Sequence, residues 1–347
     1  MLDLPHFARD YWPTRDWRTA PPQDQGLDPA ALADAQAYLA DRAPHIDSLL
    51  VVRHGYLVHE SYHNRTGPDA LHALKSVTKS VMGALIGIAI RAGDLAGVDE
   101  QLGYVMPEVF ATVPDRALRE ITIRDLLTMR SGLDWAEYGP GLLQMTASPH
   151  WVQHVLELPL AHPPGTFFNY STGDTHLLSA VLHHLTDLSA LEYADLYLFD
   201  PLGITRRRWV ADPQGVSIGG TELLLTPRDM AKFGYLYLNG GRWDDQAILP
   251  ANWVQDSAEY HTSFEPTEQN PCAEWGYGYL WWLRSQGRYP SLIAVGYGGQ
   301  FVFVVPALDL VVVMTGGLTA VPETFRDSRM LCQFNLVEDF IVPAIIG

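Results

Sequence analysis

Strand-forming sequence lies at both ends of this 347-residue chain and helical sequence fills its middle, so one sheet holding all the strands requires the two ends to meet. Near the start, Ser48 to Val52 and Tyr56 to Tyr62 are short strand-like runs joined by a turn at His54-Gly55, which predicts a hairpin. Late in the chain, aromatic and β-branched runs recur at Tyr277 to Leu283, Leu292 to Val295, Phe301 to Val305 and Leu310 to Met314. Between Ser76 and about Thr205 the pattern is helical: Ser76 to Ala92, Thr122 to Met129, Trp151 to Leu158, Asp174 to Thr186 and Leu191 to Phe199, punctuated by Gly and Pro. Further helices are expected at Leu27 to Arg42, Pro227 to Leu238 and near Pro322 to Phe340. The expected fold is an α/β sandwich with a central antiparallel sheet flanked by helices, plus an inserted all-helical domain. Residues 1–75 and 221–347 would form the first unit and 76–220 the second, with a cleft at their junction.

Ser76 and Lys79 stand at the start of one of those helices. The chain holds three lysines against twenty arginines. Arginine keeps its proton inside proteins, whereas a desolvated lysine can lose it. Val77, Val81, Ala84, Leu85 and Ile88 repeat at helical spacing and Gly93-Asp94 ends the run, so Ser76 falls at the N-terminal turn of a buried helix. Residues three apart share a helix face, which brings hydroxyl and amine together in apolar surroundings that favour the neutral amine. A serine nucleophile with a lysine base is the chemistry this spacing predicts. The helix N-terminus adds partial positive charge and unpaired N–H groups where an oxyanion would form.

Composition narrows the alternatives. Apolar residues make up 47% and aromatics 11%, enough for a substantial core. A net charge of -17 argues against nucleic acid and anionic membrane surfaces as partners. No apolar run reaches the ~18 residues of a membrane-spanning helix. Met1 to Trp17 contain no signal-like apolar stretch, so a cytoplasmic location is expected. Cys272 and Cys332 are the only cysteines and suggest neither a disulfide framework nor a zinc site. His150 and His154 share a helical face but lack the glutamate of the metalloprotease pattern, and neither a metal nor a cofactor is expected.

Three ordered motifs carry a resemblance. Ser76-Val77-Thr78-Lys79, Pro163-Pro164-Gly165-Thr166 leading into Tyr170-Ser171-Thr172, and Gly296-Tyr297-Gly298-Gly299-Gln300 together resemble the penicillin-recognising serine hydrolases: class C β-lactamases, DD-peptidases and β-lactamase-like esterases. Ile123 to Leu133 and Asp229 to Gly234 are similar to the family as well, and the likeness runs from about Ser48 to Met314. It implies the β-lactamase/transpeptidase-like fold, with Tyr170 moving a proton and the backbone N–H groups of Ser76 and Gln300 forming the oxyanion hole. Two departures stand out. Thr172 replaces the asparagine that normally contacts a substrate amide, and a plain capping role for the helix near Asp174 is its alternative reading. Tyr297-Gly298-Gly299 replaces a Lys-Thr-Gly triplet, so a neutral aromatic stands where a cation holds a substrate carboxylate. Both departures favour the esterase side, and Asn169 to Thr175 with the final Gly-Gly-Gln resembles the 6-aminohexanoate-dimer hydrolase-like carboxylesterases.

The expected activity is hydrolysis of a small-molecule ester or amide, with a β-lactamase, a DD-peptidase or a catalytically silent binding protein as alternatives. Thr172, Tyr297, Gly298, Gly299, Trp135, Trp275 and Tyr277 are candidate substrate contacts, although core packing is the plainer role for each tryptophan. Asp174 and Glu274 are open between binding a substrate cation and capping a helix. Gly215-Val216-Ser217-Ile218-Gly219 matches a nucleophile elbow, but no strand precedes it and no helix follows at once, so Ser217 is read as a loop serine.

Overall fold

The computed structural model describes residues 5, 7–111, 113, 115–263, 275–284, 289–317 and 334–346. At the centre lies an eight-stranded antiparallel sheet made of β1 (Ile46–Arg53), β2 (Tyr56–Tyr62), β3 (Thr262–Ser263), β4 (Trp275–Tyr277), β5 (Trp282–Arg284), β6 (Ser291–Gly296), β7 (Gln300–Val305) and β8 (Leu310–Gly316). The order is β2-β1-β8-β7-β6-β5-β4-β3. The two chain ends meet where β1 pairs with β8, Leu50 opposite Val313.

Successive side chains of a strand point to opposite faces, and here both faces are covered. Leu49, Val51, Phe301, Phe303 and Val312 face one side, in one apolar cluster with Leu32 and Leu39 of α1 (Pro29–Arg42) and with Leu336 and Ile341 of the C-terminal helical segment Leu336–Ile341. Leu50, Val52, Val302, Val304, Val311 and Val313 face the other, clustered with α2 (Val77–Ala92) and with α4 (Pro227–Leu238). Burial on both faces is why these strands read as unbroken apolar runs rather than alternating ones. α4 lies so close to the sheet that a Cβ on Gly234 would come 2.7 Å from both Val302 and Val311. The second cluster continues from α2 to α3 (Thr172–Thr186) and the helices around it.

Several elements end where local chemistry requires. Gly93 closes α2 in a left-handed conformation at φ 86, and Thr226 caps α4 by accepting from the Asp229 N–H. Others differ from expectation. The run Tyr277 to Leu283 is two strands, because the chain reverses between them with Leu280 at φ 59 and the Gly278 N–H donating to the Trp281 carbonyl. Three short segments, His72–Ala73, Leu223–Leu225 and Arg207–Trp209, form a small sheet too brief to carry a pattern. Ser171, not Thr172, caps α3, its hydroxyl accepting from the Asp174 N–H at 2.9 Å. Cys272, Glu274, Cys332 and the start of the expected C-terminal helix lie outside the described residues. Among the described residues no helix is long and apolar enough to cross a membrane.

Candidate active site

Ser76 occupies the N-cap position of α2, yet its hydroxyl makes no capping bond. Serine at that position ordinarily accepts from a helix N–H, so the side chain is left for other partners. The expectation of several free N–H groups here needs correction. Those of Val77, Thr78 and Lys79 donate to the carbonyls of Leu74, Lys75 and Ser76. Among the described residues the Ser76 N–H itself has no acceptor. The preceding residue is strained: Lys75 is held at φ 49, a left-handed conformation that costs about 1 kcal/mol or more for a side-chain-bearing residue. A 2.6 Å ion pair from Lys75 to Glu222, itself at φ 65, helps hold that turn.

The Lys79 amine lies among four oxygens. Ser76 Oγ is 3.2 Å away, Thr172 Oγ1 2.8 Å, the Gly220 carbonyl 3.0 Å and Glu137 Oε1 3.9 Å. Lys79 is 1% exposed, and burial pulls its pKa down to about 8 against the opposing pull of Glu137 and Asp174. Thr172 donates its hydroxyl to Glu137 Oε1 at 2.6 Å and its backbone N–H to Glu137 Oε2 at 2.8 Å. The Trp135 indole N–H also donates to Oε2, at 2.6 Å.

Tyr170 faces Ser76 from the loop before α3. Burial pushes its phenol well above the ordinary tyrosine value, an effect that the neighbouring Ser76 hydroxyl only partly offsets and the Glu137 charge reinforces. Its ring stacks on Trp282 at 5.8 Å and meets Tyr277 edge-on at 6.1 Å, while Lys79 Nζ lies 4.9 Å from its centre. Asp174, on the first turn of α3, accepts from Ser131 Oγ at 2.8 Å, and its Oδ2 has no hydrogen-bond partner among the described residues. Burial raises its pKa to about 7, against the opposing pull of its serine hydrogen bonds.

The third motif forms the tight turn between β6 and β7. Gly298 and Gly299 take φ 84 and 94, a conformation open to glycine, and Tyr297 projects half exposed. A Cβ on Gly296 would come 2.3 Å from the Leu74 carbonyl, so this turn lies against the segment that delivers Ser76. The Gln300 side chain donates to the Gly316 carbonyl at 2.7 Å and accepts from its N–H, fixing the start of β7 to the end of β8.

Ser76, Lys79, Tyr170, Thr172, Trp135 and Tyr277 thus come together in one place. Trp275 lies one ring further out, edge-on to Trp282 at 6.0 Å and to Phe334 at 4.2 Å, in the apolar layer beneath α1. Ser217 is buried, its Oγ accepting from the Leu191 N–H at 3.4 Å and its carbonyl from Ser179. Nearby His176 bonds Asp212 at 3.1 Å and does not reach that hydroxyl. Glu137, Trp282 and the Gly220 carbonyl escaped the reading of the sequence. Glu137 lies in a loop without periodicity, and its bond to Thr172 spans 35 positions. No local signal marks it.

Residues 34–317 match the Beta-lactamase family. The chain is 26% identical over 287 residues to the 6-aminohexanoate-dimer hydrolase of Paenarthrobacter ureafaciens, covering 77% of this chain and 71% of that one. It is 27% identical over 173 residues to a lovastatin esterase of Penicillium rubens, covering 45% of this chain and less than half, 42%, of that relative. A class C β-lactamase structure from Rhodobacter sphaeroides superposes with a TM-score of 0.65 at 15% identity, over 90% of this chain and 100% of that one, a likeness of fold. With its large antiparallel sheet between helical layers and its serine and lysine on one helix, the chain belongs to the Beta-lactamase family of hydrolases.

Proposed function

We propose that the protein hydrolyses esters, and linear amides, of small molecules through an acyl-enzyme on Ser76. The supporting observation is the direction of the hydrogen bonds at Lys79. The Gly220 carbonyl can only accept, and Thr172 uses its one hydroxyl hydrogen on Glu137, so it too accepts from Lys79. A neutral amine has two hydrogens and one lone pair. With both hydrogens so occupied, the lone pair is left for the Ser76 hydroxyl 3.2 Å away.

In this reading Lys79 takes the Ser76 proton as Oγ bonds to the substrate carbonyl carbon. The N–H groups of Ser76 and Gln300 hold the oxyanion. Tyr170 keeps its proton at neutral pH, which suits it to protonate the departing alcohol or amine and recover a proton from Lys79. Water then attacks the acyl-enzyme by the same sequence in reverse. Gly298 and Gly299 let an acyl group lie close to β7, and the neutral Tyr297 beside them favours substrates without a carboxylate there.

The test is p-nitrophenyl acetate and butyrate with the wild type, Ser76→Ala and Ser217→Ala, followed by mass spectrometry of the quenched protein. Acylation confined to Ser76, lost in Ser76→Ala and kept in Ser217→Ala, is expected. A wild type that turns over neither ester and carries no acyl group overturns the reading. Faster turnover of a chromogenic cephalosporin than of either ester would move the substrate to the β-lactam side.

A further inference from the structure

We infer that Glu137 is a positioning residue for the general base: acting through the Thr172 hydroxyl, it keeps both Lys79 hydrogens turned away from Ser76. The inference rests on the roles proposed for Ser76 and Lys79. Glu137 accepts three hydrogen bonds, from Thr172 Oγ1 on Oε1 and from the Thr172 N–H and Trp135 Nε1 on Oε2. An ionised carboxylate accepts only, so the Thr172 hydrogen is committed to Oε1 and the hydroxyl oxygen presents a lone pair to Lys79. The same carboxylate thereby receives a backbone N–H at the start of α3, the end of a helix that favours negative charge.

An amide in the same place reverses this. The two N–H donors at Oε2 would hold the amide oxygen there, which turns its NH2 toward Thr172 Oγ1. The Thr172 hydrogen is then released toward Lys79, where it competes with Ser76 for the lone pair. Glu137 also acts by charge. The ionisable groups that act on or touch Lys79 are Glu137 from the 134–139 loop, Asp174 from α3 and Tyr170 from the loop before α3; Tyr277 of β4 lies behind the Tyr170 ring, and Lys75, on the turn ahead of α2, is paired with Glu222. Of these, Glu137 and Asp174 favour the ammonium form, so removing the Glu137 charge lowers the pH at which Lys79 becomes a base.

The experiment compares Glu137→Gln, Thr172→Val and Thr172→Ser with the wild type, using p-nitrophenyl acetate across roughly pH 6 to 10. Glu137→Gln and Thr172→Val are expected to lose about 10- to 100-fold in kcat with KM held within about threefold. Thr172→Ser, which restores the hydroxyl, recovers most of that loss. The acid limb of the rate profile moves down by about one pH unit in Glu137→Gln and stays in place in Thr172→Val, which keeps the carboxylate. Wild-type kcat in Glu137→Gln, an unmoved acid limb there, or Thr172→Ser as slow as Thr172→Val overturns the inference. If Glu137→Gln does not fold, as read from its thermal unfolding, the Thr172→Val and Thr172→Ser contrast decides. Failure of the underlying mechanism looks different: the wild type itself carries no acyl group on Ser76.

Discussion

The Gly220 carbonyl meets Lys79 Nζ at 3.0 Å, and a Cβ on Gly220 would stand 2.5 Å from Thr175 Oγ1, 2.8 Å from Thr172 Cγ2 and 3.1 Å from that same nitrogen. The acceptor that orients the lysine is therefore available only where the chain carries no side chain. Gly220→Ala is expected to displace the carbonyl and cost at least about 100-fold in kcat, with a loss of roughly 1–3 kcal/mol in stability from overpacking. Steady-state kinetics alongside chemical denaturation separates the two effects. Activity within twofold of wild type would mean that the carbonyl has no part in orienting the amine.

Lys79 should set the acid limb of the rate profile. In the proposed mechanism its neutral form is the base, and burial has lowered its pKa to about 8, so kcat/KM for an activated ester should rise with pH and level off above that value. A profile flat from roughly pH 6 to 9 would remove Lys79 from the role.

Tyr170→Phe distinguishes leaving-group protonation from base catalysis. An alkyl alkoxide needs a proton as it departs, whereas p-nitrophenolate is stable without one. Loss of the phenol should slow alkyl ester hydrolysis by about 100-fold or more and p-nitrophenyl ester hydrolysis much less. Equal losses on both substrates would place Tyr170 in another step.

Asp174 should give the fold an unusual pH dependence. Its pKa is raised from 3.8 to about 7 in the native state, so between those values the folded chain binds more protons at this group than the unfolded chain. The stability it contributes is fully present below about pH 4 and is lost as pH rises through about 7. The upper bound on that loss is roughly 4 kcal/mol. Asp174→Asn should therefore gain on the wild type as pH climbs from about 4 to 8, measured as the difference in unfolding free energy. A difference that stays constant across that range would show that Asp174 is ionised in both states.

Elements with their own local signature were legible before the structure. The β1–β2 hairpin carried its turn, α2 its helical spacing and terminal glycine, and α4 its proline start. Ser76 and Lys79 were legible for the same reason, since one turn of helix brings them together. The rest depends on distant partners. Glu137 reaches Thr172 from a loop, and the Gly220 carbonyl reaches Lys79 across 141 positions. The reversal at Leu280 was hidden inside an aromatic run because what receives it is remote: its N–H donates to Leu127 and its carbonyl accepts from Ser80. Thr172 invited a capping role because Ser171 and Thr172 are chemically alike. Which of the two turns toward the helix, and which toward Lys79, is settled by Glu137.

The pairing of Leu50 with Val313 orders events during synthesis. α2, with Ser76 and Lys79, is finished long before β6 and β7 are made, and the apolar side it later presents to the sheet lacks these two strands until they arrive. Contacts so distant along the chain slow the final assembly and lengthen the interval in which a half-made molecule is prone to stick to others. The nascent chain thus carries Ser76 and Lys79 for most of its elongation without the Gly296–Gln300 turn beside them. The surroundings of Ser76 are complete only once the strands on either side of that turn have been laid down.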